Sequence, residues 1–507
     1  MKARRLLVPS LSDCLFLSLL VWLFATGSGW VALLADGDTG WHIRTGEFIL
    51  DGGGLPHRDL FSFSKPGAPW FAWEWLSDVI LGWLHRQAGL KGVVLAAAVA
   101  ACASVTLVFR HTLWRGAGPF VALAACLLGA GASTIHYLAR PHVFTLTLLA
   151  AAMWLLDRDR RRPTTAVWLL VPLSALWVNV HGGFLALIVC LGVVVAGTTL
   201  EELFAKPPEQ RSWARVRRYL GLLGGCGLAT LLNPYGVYLH VHVAGYLRST
   251  WIRAAVDEFQ SPRFRSEAMI QFEVLLFAGL LLAATLLAKR HFIDALLVLV
   301  WAHAALVSVR HVPIYVVVAT PIWAGQAGLL WDRWAAKRPR QSLARVFRGL
   351  AEDVAPGFRY TSLWIPLALV VLSAGFWPMR WPGDFPEEKF PVRLIRRNEA
   401  LLAKSRVFTS DQWADYLIYR FYPHHRVFLD GRSDFYGPEL GKLYLRLAYG
   451  QADWSEAVRK HGFELVLAPP DWPLVSLLRR DAGWRLVEAD QRAALFQRAD
   501  PSIGLSR

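Results

Sequence analysis

Trp30-Val-Ala-Leu-Leu-Ala-Asp36-Gly-Asp38-Thr-Gly-Trp-His42-Ile-Arg44-Thr-Gly-Glu47 is the stretch on which the fold turns. An apolar run beginning near residue 14 ends at Ala35, and Asp36, Asp38, His42, Arg44 and Glu47 follow without a spacer. A bilayer core needs about 20 predominantly apolar residues in a helix, so residues 14–35 read as a span with a polar segment set against its outer end. The run is long for the apolar part of a leader and no small-x-small site follows it, so it reads as uncleaved.

Working outward, apolar stretches of similar length recur at 91–109, 117–135, 142–156, 164–180, 184–204, 219–232, 271–288, 292–307, 313–331 and 361–378, about eleven spans in all. The composition of the 507 residues agrees: 55% are hydrophobic and 18% charged, against about 25% charged in a soluble domain. Lys and Arg are retained on the cytoplasmic side of a membrane. With the basic N-terminus inside, the cytoplasmic segments hold 23 of them in 73 residues, and the opposite segments hold 10 in 107. The formal charge of +16 is therefore a matter of topology and anionic lipids, not of nucleic acid. Arg160-Arg161-Arg162 reads as part of that topology. The five cysteines fall in or beside spans and supply no disulfide framework to the outer segments.

An odd span count puts the C-terminus outside. From residue 379 the chain carries 20 basic and 17 acidic residues and no long apolar run, the composition of a soluble domain. Short apolar runs at 406–409, 426–429, 463–467 and 484–487 alternate with helical patterns, which indicates an α/β layer with a largely parallel sheet. The last pair, 484–488 and 493–497, reads as a hairpin. The expected organisation is a membrane domain over 1–378, with a first external loop at 36–90, and an extracytoplasmic α/β domain over 379–507. Residues 73–89 mix Leu76, Val79, Ile80 and Trp83 with Asp78, His85 and Arg86, a helix lying in the interface or the start of one long tilted helix.

Chemistry-bearing residues gather on the outer side. Asp36 and Asp38 at i and i+2 can bind a divalent cation, or one can act as general base; Asp and Gly are equally the residues of a solvated turn. His42, Arg44, Glu47, Asp59 and Glu74 stand nearby in the sequence. Other outer ends carry His136-Tyr-Leu-Ala-Arg140-Pro-His142, Asn179-Val-His181-Gly-Gly-Phe184 and Arg310-His311. Each has a structural account, Arg140 snorkelling or His142 capping its helix, but polar groups at membrane depth are costly and usually mark a site. Together they suit an anion. Trp41, Trp70, Trp73 and Trp75 read as an interfacial belt or as stacking surfaces for sugars.

The acidic segment from Asp36 to Glu47, Phe61-Ser-Phe-Ser64, Glu74-Trp-Leu76, Arg140-Pro-His142, Asn179 to Phe184 and Asp430-Gly-Arg432 resemble a group of bacterial GT-C-like membrane proteins, and the whole layout resembles the GT-C superfamily of membrane glycosyltransferases. The resemblance implies an enzyme of the bacterial cytoplasmic membrane, N-terminus inside and C-terminal domain outside. It would transfer a sugar, with inversion, from a polyprenyl-phosphate donor to a glycan, lipid or protein acceptor. It further implies Asp36 or Asp38 as base or metal-positioning group, and Arg140, His142, His181, Arg310 and His311 on the donor phosphate. His42, Arg44, Glu47, Asp59, Glu74 and Asn179 would be supporting residues. No cofactor is required, and a divalent cation (Mg or Mn) at Asp36 and Asp38 is optional. The tail has no Trp-Trp-Asp motif, which argues against asparagine-linked transfer. A transporter or flippase for a lipid-linked or anionic solute, and a non-catalytic scaffold with a glycan- or partner-binding tail, are the alternatives.

Overall fold

The described parts of the eleven apolar stretches lie mostly on helices in the computed structural model of the chain, which describes residues 6–25, 29–204, 207–358, 360, 362–374, 381–451 and 453–499. The expected domain boundary at 378 falls outside the described residues. Among the described residues, four helices are long and apolar enough by length and composition to cross a membrane: Trp75–Trp114, Phe184–Phe204, Ala268–Ala288 and Val309–Ala336. Shorter apolar helices include Leu11–Phe24, Pro119–Ala132, Thr165–Val180, Phe292–Val307 and Trp364–Ser373. The chain divides into two units: Met1–Gly29, Leu95–Val243 and Val256–Arg380 form one, and Trp30–Val94, Ala244–Ala255 and Trp381–Arg507 the other.

The first unit is all helix. Its helices approach closely where one residue is small: Gly197 meets the backbone of Ile293. Tyr315 passes over Gly279 to donate its hydroxyl to Leu275 O at 2.8 Å, so the phenol is both buried and satisfied. Cys102, Cys126, Cys190 and Cys226 are buried free thiols.

The second unit has the only strands among the described residues: β1 (Val407–Thr409), β2 (Leu465–Ala468), β3 (Trp484–Ala489) and β4 (Ala494–Arg498), in the order β1-β2-β4-β3. β1 runs parallel to β2 with Val407 opposite Leu465, whereas β4 is antiparallel to both β2 and β3. The hairpin is as expected, but the sheet is not largely parallel. Residues 426–429 stay out of it: the Val427 N–H donates to Phe61 O at 2.8 Å and the Phe63 N–H to Val427 O at 2.9 Å. That segment spends its hydrogen bonds on 61–63 and has none left for a sheet edge.

Residues 38–48 form a helix, Asp38–Phe48, buried at Asp38, Thr39, Gly40, Trp41, His42, Ile43, Thr45 and Gly46, which is not the solvated turn that Asp and Gly equally allowed. Its glycines explain the packing. A Cβ on Gly37 or Gly40 would strike the backbone oxygens of Gln412 or Asp415, and one on Gly46 the Asp78 carbonyl. The helix Asp411–Phe421 thus lies against one face and the helix from Trp75 against another. That second helix turns sharply at Gly89 (φ 61°), which separates residues 75–88 from the apolar length beyond and favours the interfacial-helix reading of the two.

Candidate active site

In the second unit the site is built on the start of the Asp38–Phe48 helix. Asp36 Oδ1 accepts the Asp38 N–H at 2.9 Å, an Asx-type contact that satisfies one of the helix's orphan donors. The Gly37 N–H donates to Gln412 Oε1 at 2.7 Å. Asp38 itself is 7% exposed, and its Oδ1 occupies the place a Cβ on Gly431 would need. Asp415 closes on the same glycine: its Oδ1 accepts the Gly431 N–H at 3.1 Å, and its Oδ2 would lie 2.9 Å from that Cβ. Oδ2 is buried with no hydrogen-bond partner. Burial, then the carboxylates of Asp38 and Asp430, push the Asp415 carboxyl well above its usual range, which favours its protonated form. Burial also raises Asp411, helped by Asp36. Asp411 and Asp415 were not singled out in the sequence; their i,i+4 spacing on a helix, unfavourable for two like charges, was the signal.

The expected supporting residues of this unit hold it together. His42 Nδ1 lies 2.5 Å from Asp78 Oδ1, with Glu74 3.9 Å from its other nitrogen. Arg44 pairs with Glu47 at 2.5 Å and donates from Nε to Tyr419 O at 2.8 Å. Glu47 also meets His85 Nδ1 at 2.7 Å, and His85 reaches the Tyr419 hydroxyl at 3.1 Å. Asp59 belongs to a clamp. Arg432, 3% exposed, donates to Asp430 at 2.6 and 2.8 Å and to Asp59 at 2.8 Å. Its guanidinium lies 4.5 Å from the Trp70 ring centre and 5.0 Å from that of Phe61, and the Tyr436 hydroxyl donates to Asp430 at 2.7 Å. Trp41 and Trp70 are therefore buried, not part of an interfacial belt.

In the first unit the Arg140, His181 and Arg310 side chains come together around a residue the sequence reading passed over, Glu258. Arg140 Nη1 donates to Glu258 Oε1 at 3.1 Å. Burial raises the Glu258 carboxyl, but Arg140, His136, Arg310 and His181 outweigh it and bring it down to about 2. The histidines here are neutral: burial first, then the nearby arginines, takes His136 down to about 4, and burial with Arg310 and Arg140 takes His181 to about 3. Positive charge at this cluster accordingly comes from arginine. His142 Nε2 donates to His136 O at 3.0 Å, and His181 Nδ1 accepts the Gly183 N–H at 2.9 Å and lies 2.9 Å from Thr145 Oγ1. His311 donates to Ala304 O at 3.1 Å, which fixes its ring, and Arg310 lies 4.5 Å from the Phe259 ring centre. Asn179 donates to Ala175 O and Leu232 O, which ties two helix ends together.

No family model matches the chain, and no curated protein matches it. Solved structures do. The oligosaccharyltransferase AglB from Archaeoglobus fulgidus, in complex with an inhibitory peptide and a dolichol-phosphate, is similar with a TM-score of 0.52 at 12% identity, over 97% of this chain and 75% of that one. The A. fulgidus oligosaccharyltransferase tethered by a disulfide to an acceptor peptide containing the NVT sequon gives 0.51 at 12% identity, over 97% and 74%. The chain has the GT-C fold. ArnT from Cupriavidus metallidurans bound to undecaprenyl phosphate has a TM-score of 0.49 at 14% identity, over 95% of this chain and 97% of that one. Among the described residues, no group of three or more His, Cys, Asp and Glu side chains is set to hold a metal ion. Asp36 and Asp38 are the carboxylate pair that a cation would draw on.

Proposed function

We propose that the chain is a membrane glycosyltransferase that moves a sugar from a polyprenyl-phosphate donor to an acceptor hydroxyl at the outer face of the bacterial cytoplasmic membrane. The observation that carries this reading is Asp38: a buried carboxylate at a helix start, beside Asp415, whose carboxyl is pushed well above its usual range, in a chain with the GT-C fold. AglB is solved with a dolichol-phosphate, a polyprenyl phosphate of the class proposed here.

Asp38 takes the proton of the acceptor hydroxyl as its oxygen attacks the anomeric carbon. The new C–O bond forms as the bond to the phosphate oxygen breaks on the opposite face, so the configuration inverts. The electron pair leaves with the polyprenyl phosphate. By the resemblance, Arg140 and Arg310 are the residues assigned to that growing charge through charge-assisted hydrogen bonds, with His136, His142 and His181 as hydrogen-bonding neighbours of the arginines. Asp36 acts on the helix start through its contact with the Asp38 N–H. When a divalent cation is bound, Asp36 and Asp38 are the hard oxygen ligands for it, and it adds positive charge for the phosphate. The lysine and arginine bias supports a cytoplasmic N-terminus and an extracytoplasmic tail.

The test is transfer from a radiolabelled polyprenyl-phosphate sugar in membranes carrying the full chain, with Asp36→Asn and Asp38→Asn made separately. Loss of transfer in Asp38→Asn, with the protein still inserted and folded, is the expected result. Full activity in both variants would overturn the assignment.

A further inference from the structure

The first unit holds a second charged centre, which the transfer reaction does not use. The helix His142–Arg161 has 20 residues, so its last turn lies about 30 Å of helix from His142. There Arg115, Arg160, Asp157 and Asp294 interlock: Arg115 Nε donates to Asp157 at 2.6 Å and Nη2 to Asp294 at 2.9 Å, while Arg160 Nη1 reaches Asp294 at 2.7 Å and Asp157 at 3.1 Å. Two arginines and two aspartates balance. The cavity beside them, about 290 Å³, is also lined by Arg161, Arg215, His291 and Gln326, so its charged lining is four arginines against two aspartates. Arg161 lies 4.2 Å from the Trp114 ring centre and has no hydrogen bond or ion pair among the described residues. Arg215 forms long ion pairs with Glu201 at 3.9 Å and Glu202 at 3.8 Å, two acids that do not line the cavity.

A chain that needed only a rigid helix junction would stop at the balanced four. The additional cations line an open, polar volume, large enough for a phosphate ester and its first bonded atoms. The turn that presents His291 is also unusual: Arg290 is the one non-glycine residue with a positive φ, 59°, among the described residues, a conformation that tends to persist at binding sites. Basic pockets between membrane helices take phosphate headgroups, and the planar guanidinium matches phosphate oxygens in pairs.

We propose that this cavity binds a phosphate ester anion, the headgroup of an anionic phospholipid, with Arg161 and Arg215 as its cationic contacts and Gln326 on its wall. The proposal is independent of the transfer reaction and of Asp38.

The full-length protein, delipidated in neutral detergent, is offered phosphatidylglycerol or phosphatidylcholine at equal concentration and the retained lipid counted by native mass spectrometry. Inorganic phosphate is then tested for its effect on Tm and for competition with the lipid. Retention of phosphatidylglycerol at least tenfold above phosphatidylcholine is expected, falling by tenfold or more in Arg161→Gln. Gln326→Glu, which adds a negative charge to the wall and leaves the interlocked four intact, should give the same loss, and keeps the test open if Arg161→Gln does not fold. Competition by inorganic phosphate supports the phosphate as the recognised group. Lack of competition, with the variants still deficient, supports recognition of the whole headgroup. Equal retention of the two lipids, or unchanged phosphatidylglycerol retention in a folded variant, would overturn the proposal.

Discussion

The two outer-type clusters solve opposite electrostatic problems. Around Gly431, carboxylates of one sign are crowded together, and burial, then Asp38 and Asp430, push the Asp415 carboxyl well above its usual range. Around Glu258, charges of both signs are matched, Arg140 to Glu258 at 3.1 Å, and the histidines among them give up their charge. The difference teaches what each can do. A crowded carboxylate group exchanges protons readily. A matched group holds its arginines against an internal anion, Glu258, and under the proposed function the donor phosphate competes with that anion.

The sharpest way to break this comparison is Asp38→Asn, which should lower transfer by about 10²–10⁴-fold, while Asp36→Asn, whose amide oxygen still accepts the Asp38 N–H, should stay within about tenfold of the parent. An assay in which Asp36→Asn is the dead variant would exchange their roles. Next in size is Arg432→Leu, which strands Asp430 and Asp59 as buried unpaired charges. A loss of about 3–5 kcal/mol, read by thermal unfolding and protease sensitivity, is expected. Arg140→Gln should raise the KM for the donor by about tenfold, the worth of one charge-assisted contact. Glu258→Gln should move the same KM the other way, because it removes the anion that competes for Arg140; a higher KM would show that Glu258 positions the arginine instead.

The smallest effect is the pH dependence of Asp415→Asn. A carboxyl raised in the folded state holds its share of stability below the unfolded value and loses it as pH rises through the folded one. Asn cannot ionise. The variant should therefore match the parent in Tm near pH 4 and exceed it increasingly on the alkaline side. An equal Tm at every pH would mean that Asp415 does not titrate in the folded chain. At the other cluster, His136 at about 4, His181 at about 3 and Glu258 at about 2 titrate below pH 5, so donor KM should be flat between pH 6 and 8 in a steady-state series.

Hydropathy made the membrane helices legible, because a run of about 20 apolar residues matches the thickness of a bilayer core and little else in a folded chain. The same reasoning failed where tertiary partners decide. Residues 38–48 contain Gly40, Gly46 and two threonines, poor helix formers, and they look like a turn until Gln412, Asp415 and Asp78 are seen against Gly37, Gly40 and Gly46. Val427 has the composition of a strand, but its partner is 61–63, and pairing at such separation leaves no local trace. Asp36, Asp38, Arg140 and His181 stood out through their motifs. Glu258 did not, since an acid beside Asp257 in a long external segment resembles ordinary solvated charge; its pairing with Arg140 spans 118 residues.

The contact between Gly37 and Gln412 joins residues 375 apart in the chain, and that has a consequence for biogenesis. At about 5–20 residues per second, the ribosome needs about 20–75 s after the first segment has emerged before the helix that covers it exists. Throughout that interval Trp41, Ile43 and the face carrying Gly37 and Gly40 have no cover from the tail. The helix Asp411–Phe421 covers a segment made about 375 residues earlier, so a nascent chain halted before residue 411 should remain a client of the membrane's quality control.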